Sequence, residues 1–204
     1  MTLSDPSEEP AGAGRLRQVI LVVALVNLAY FFVEFVVARK IGSVSLFADS
    51  IDFLEDTSVN LLIVIALGWS LKNRARVGML LAAVLLIPTA ALLWTAWKKF
   101  LMPTPPDPWL LSATGFGALV VNLGCAILLT GYRHHRGSLT RAAFLSARND
   151  ALANLAIIAA GIITLRWISG WPDLVVGLGI ALMNMDAAKK VWRAARDEHA
   201  STVP

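Results

Sequence analysis

Cysteine is almost absent from this chain: Cys125 is the single thiol in 204 residues. A disulfide framework is therefore excluded, and so is a zinc module built on cysteine ligands. Charge is scarce too, at 16% of residues, where soluble domains carry about 25%. Asp-Gly, the dipeptide that usually marks metal sites of membrane enzymes for phosphoalcohol transfer, occurs nowhere, which argues against an integral membrane metal-dependent enzyme. The start, MTLSDPSEEPAGAG, is not expected to be a secretory leader, having neither a basic n-region running into an apolar core nor a small-residue cleavage site. No low-complexity tract or solenoid repeat is present, and no pore ring or selectivity-filter pattern supports a simple channel.

What is present is apolar: 57% of residues are hydrophobic, and the mean hydropathy is +0.66. A bilayer core takes about 20 apolar residues per helix. Six segments are long enough, near residues 17–38, 44–71, 77–97, 109–132, 141–165 and 172–192. Between them lie the connectors RKIGS, KNRAR, KKFLMPTPPDP, YRHHRGSLT and WISGWP. The sequence thus predicts an all-α integral membrane protein whose six transmembrane helices form one domain over residues 15–196. Residues 1–14 are expected to be a disordered cytoplasmic tail, and 197–204 a short cytoplasmic one.

Lys and Arg set the orientation. With both termini cytoplasmic, twelve face the cytoplasm and five the other side, counting all but Arg148. This multi-pass topology turns the net charge of +4 into loop anchoring and leaves no basic face for nucleic acid. All seven tryptophans lie near segment ends, the depth at which indole rings settle.

Carboxylates inside a membrane cost several kcal/mol unless they are paired, protonated or hydrated. The second segment carries four, Asp49, Asp52, Glu55 and Asp56. At helical periodicity Ser45, Asp49, Asp52, Asp56 and Asn60 fall within a sector about 80° wide, with Glu55 off it. Such a stripe must face protein rather than lipid. Asp52 and Asp56, one turn apart, are within reach of a single ion. In the fifth segment Ser146 and Asp150 repeat the four-residue spacing, with Asn149 and Asn154 on or beside the same face and Arg148 nearly opposite. Arg148 is expected to pair with a buried carboxylate such as Glu34, or to snorkel to the headgroups. Repulsion between neighbouring carboxylates is relieved by a divalent cation or by protons, the physical basis for exchanging one against the other.

These residues resemble the cation diffusion facilitator family of metal transporters. SVSLFADSIDFLED, residues 43–56, is similar to the family's second-helix motif, with its ligand positions on Asp52 and Asp56. RAAFLSARND is similar to the fifth-helix motif, with Ser146 and Asp150 at the ligand positions. Asn27 and Glu34 resemble the first helix, and Pro172 with Asp173 the opening of the sixth. The resemblance implies a homodimer that exports divalent metal from the cytoplasm in exchange for protons by alternating access. The metal would bind Asp52, Asp56 and Asp150, with Ser146 and Asn149 as neutral donors. Asn154 or water stands ready to complete the shell, and Asp49 would draw in the incoming ion.

Three departures follow from the same comparison. Ser146 replaces a stronger ligand. The cytoplasmic regulatory domain that usually follows the sixth helix is expected to be lacking, since only about a dozen residues remain. The loop between helices four and five offers only His134 and His135, which read as surface residues more readily than as ligands. An all-oxygen set favours Mn, Fe or Co, with Zn and Cd also suitable. No cofactor is expected, only a transported ion in a lipid bilayer. The competing reading is a non-transporting, metal-binding membrane accessory protein that lost its ion with the change at Ser146. Met183 and Met185 are read as packing residues.

Overall fold

The computed structural model describes residues 9–66, 71–130 and 137–184, with side-chain detail for 14–64 except 16 and 63, for 84, and for 87–130 and 149–184. These residues form helices and no strands. The helices are α1 (Glu9–Ile41), α2 (Val44–Ala66), α3 (Leu71–Leu101), α4 (Pro108–Thr130), α5 (Gly137–Arg166) and α6 (Trp171–Asn184). They build an all-α membrane bundle in which every expected segment is represented by a helix.

Two boundaries differ from the sequence expectation. Helix α1 begins at Glu9, upstream of Arg15, with Pro10 in its first turn, where a missing N–H breaks no helical bond. The KNRAR connector lies inside α3 instead of between helices, because it holds neither Pro nor Gly to stop a helix and Lys and Arg favour one.

Among the described residues three stretches are long and apolar enough to cross a bilayer on composition alone: Arg17–Ile41, Pro108–Thr130 and Asn149–Arg166. Their large apolar side chains point outward, among them Leu25, Phe32, Val36, Phe116, Ile127, Leu155 and Ile162. Lipid is the medium that accepts such a surface. Helix α2 is inverted in character. From Ser43 to Ile51 every residue is buried, and α2 packs against α1, α3, α4 and α5. At 1.5 Å per residue its 23 residues reach about 35 Å, enough to span.

Small residues bring the helices together. A Cβ on Gly177 of α6 would lie 2.6 Å from the Val44 carbonyl carbon, so α6 rests directly on the first turn of α2. Gly115 sits against Ile157 of α5, and Gly117 against Tyr30 of α1. The Tyr30 hydroxyl donates to the Thr114 carbonyl at 2.7 Å. The small residues of GFGALVVNLG thus allow close contact on two sides of α4.

The turn from α1 to α2 is closed by backbone geometry. Gly42 adopts φ 65°, and the Ser43 N–H reaches back to the Ala38 carbonyl at 3.0 Å. This is the Schellman arrangement, for which glycine is favoured. Ser43 then caps α2, its hydroxyl accepting from the Leu46 N–H at 3.1 Å. The first two amides of α2 are satisfied from another helix. Asp173, at the start of α6, accepts from Val44 N–H at 2.8 Å and Ser45 N–H at 3.1 Å. It also accepts from the hydroxyls of Ser43 and Ser45, each at 2.6 Å. Lys99, near the end of α3, completes the cluster at 2.7 Å. One buried carboxylate thereby binds the ends of α2, α3 and α6. At the same end the Gly170 N–H donates to the Pro103 carbonyl at 2.9 Å. Trp94, Trp97, Trp109, Trp167 and Trp171 ring this end and are exposed. Trp69 and Trp192 lie outside the described residues.

Candidate functional site

Asp52 lies eight residues past Val44, about 12 Å along α2 from the Asp173 cluster. Here the polar stripe opens into a cavity of about 100 Å³. Its lining comprises Asp52, Glu55 and Asp56 from α2, Asn149, Asp150 and Ala153 from α5, and Ile180, Met183 and Asn184 from α6. Asp52 and Asp56 of α2 thus share one cavity with Asn149 and Asp150 of α5. None of the four carboxylates is engaged in a hydrogen bond or salt bridge among the described residues. Asn60, on the same stripe, donates to the Asp56 carbonyl at 2.8 Å, so its amide is spent on its own helix.

Of the residues singled out from the sequence, Asp52, Asp56, Asn149 and Asp150 meet at this cavity. Ser146 lies on α5, but its side chain is outside the described residues, as is that of Arg148, the partner expected for Glu34. His134, His135 and Met185 are outside them altogether. Among the described residues no three His, Cys, Asp or Glu side chains converge closely enough to hold a metal ion as the cavity stands.

Asp49 and Asn154 are elsewhere occupied. Asn154 donates to Asp49 Oδ2 at 2.6 Å and accepts from the Asn122 amide at 3.1 Å. All three are buried, and none lines the cavity. Asn154 therefore positions Asp49 and does not complete the cavity lining. Glu34, also fully buried, faces Asp49 across the α1–α2 contact.

Five lining residues were not foreseen: Glu55, Ala153, Ile180, Met183 and Asn184. Glu55 falls off the narrow stripe, yet the cavity is broad enough to include it. Met183, read as packing, lines the cavity with Asn184. The signal for α6 was present in its spacing: Asp173, Gly177, Ile180 and Asn184 follow at intervals of four, three and four, which places them on one helical face. The first two touch α2, so the whole face is turned toward it.

A family model described as the cation efflux transmembrane domain matches residues 20–197. The chain belongs to the cation efflux family. Among curated proteins, this cation efflux chain is 26% identical over 187 residues to the zinc transporter ZitB of Escherichia coli (strain K12), covering 84% of the chain and 58% of ZitB. The ZitB of Shigella flexneri matches equally. The cation-efflux pump FieF of Salmonella typhi is 29% identical over 168 residues, covering 74% of the chain and 54% of FieF. The chain thus spans little more than half the length of these relatives. They are transporters, not enzymes, and the family match takes in all the cavity-lining residues.

Proposed function

We propose that this chain carries divalent metal cations out of the cytoplasm, exchanging them for protons, with the ion held between α2 and α5. The observation that carries the reading is the cavity itself: four carboxylates with no partner of their own among the described residues, inside a membrane bundle of the cation efflux family. An excess of buried negative charge is unfavourable until a cation or protons neutralise it. Asp52, Asp56 and Asp150 are the anionic ligands in this reading, and Asn149 a neutral one. Ser146, four residues before Asp150 in the sequence, would add a hydroxyl in this reading. In this reading a bound ion favours the state in which α2 and α5 bring these groups together, and alternating access moves the ion between the two sides of the membrane.

The zinc transporters among the relatives support zinc as cargo. The oxygen-rich lining suits Mn, Fe and Co as well, and Cd as a larger analogue of Zn. Both termini on the cytoplasmic side and assembly as a homodimer complete the proposal, supported by the charge distribution and the family resemblance respectively.

Uptake of Zn, Co, Mn, Fe and Cd into proteoliposomes, with and without a pH gradient, tests it. Wild-type protein is expected to show flux stimulated by the gradient, and Asp56→Ala and Asp150→Ala to abolish it while remaining folded. Ser146, standing where a stronger ligand is expected, favours a second reading, a metal-binding accessory protein that does not transport. Binding without flux in the wild type would decide for it.

A further inference from the structure

Glu34 and Asp49 form a buried acid pair that the metal cavity does not use. Glu34 lies on α1 and Asp49 on α2, both with 0% exposure. Their carboxyl groups are within hydrogen-bonding reach of one another. Asp49 Oδ2 is held by the Asn154 amide. The other three oxygens, Glu34 Oε1 and Oε2 and Asp49 Oδ1, have no hydrogen-bond donor among the described residues. Two ionised carboxylates in contact, sealed from water, would carry both full desolvation and mutual repulsion. A single proton between them removes one charge and supplies a donor, giving a charge-assisted O–H···O⁻ bond.

We propose that Glu34 and Asp49 share one proton and form a proton site distinct from the metal cavity. A metal ion is a poorer occupant. Neither residue lines the cavity, and no third ligating group among the described residues joins them. The amide chain from Asn122 through Asn154 fixes Asp49 in place, so the pair is held from α4 and α5 as well as from its own helices.

The charged and titratable groups around the pair are Tyr30 on α1, Asp52 and Asp56 on α2, and Asp150 on α5. Cys125 on α4 donates to Asn27 of α1 at 3.5 Å. No cation among the described residues faces the pair; Lys99 is committed to Asp173. Asp49 is one turn from Asp52, so a doubly charged ion in the cavity acts on the pair at short range through protein. Its arrival favours release of the shared proton, and its departure lets a proton return. The role in coupling rests on the transport reading above, whereas the shared proton rests on the geometry of the pair.

Infrared spectroscopy of the full-length protein in lipid at neutral pH tests the site directly. The wild type is expected to show a protonated-carboxyl stretching band that shifts in D2O and is lost on adding zinc ion. The band should disappear in both Glu34→Gln and Asp49→Asn, and proton release on zinc binding in weakly buffered solution should fall by about one per ion. Absence of the band in wild type overturns the proposal whatever the variants do. A band unchanged in both variants overturns it equally. If the band behaves as expected but wild-type proteoliposomes move no metal, the transport reading falls and the proton site stands.

Discussion

Asp173 is expected to stabilise the bundle chiefly as the cap of α2, and only secondarily as the partner of Lys99. The carboxylate accepts four hydrogen bonds from the first residues of α2 or the turn before it, at 2.6–3.1 Å, and one from Lys99 at 2.7 Å. Asp173→Ala strips two buried helix-end amides of their acceptor and leaves an ammonium that is 3% exposed without a counter-charge. Breaking one side of a buried ion pair costs about 4 kcal/mol. Lys99→Met removes one charge-assisted bond but leaves four donors and the positive end of a helix around the carboxylate, so its loss is about 1.5 kcal/mol. For a protein of this size each kcal/mol moves Tm by about 2–4 °C. Asp173→Ala should therefore lower Tm by about 8–16 °C and Lys99→Met by about 3–6 °C, read by circular dichroism in detergent. The double variant should lose less than the sum, since no unpaired ammonium remains. A Lys99→Met loss equal to that of Asp173→Ala would refute the reasoning, because the ion pair and not the cap would then hold the helix ends.

Three further outcomes are expected. Gly177→Val should weaken both stability and metal flux, because a Cβ there meets α2 backbone at 2.6 Å, whereas Gly124→Ala, with nothing within 4 Å, should be silent in both assays. Asp107→Ala should cost about 1 kcal/mol in thermal unfolding; Asp107 Oδ1 accepts from the Trp109 and Leu110 amides, each at 2.9 Å, and caps α4, so Asp107→Asn should restore most of the loss. Metal affinity measured by calorimetry should fall as pH falls, because protons and cations compete for Asp52, Asp56 and Asp150; affinity that rises on acidification would remove the carboxylates from the site.

The sequence by itself determined the membrane character, the six helical segments and the stripe of acids on α2. Apolar length and a period of 3.6 residues are local properties, readable without knowing any neighbour. The convergence of Asp52 and Asp56 with Asp150 was legible for the same reason: a charged face inside a membrane must turn inward, and two such faces seek each other. Only the tertiary structure decided which partners the remaining polar residues took. Asp173 meets Ser43 across 130 residues of sequence and Lys99 across 74, and Glu34 meets Asp49 through the packing of α1 on α2. Such pairings depend on which helices abut and at what height, and helical periodicity specifies the face of a residue but not what stands opposite it.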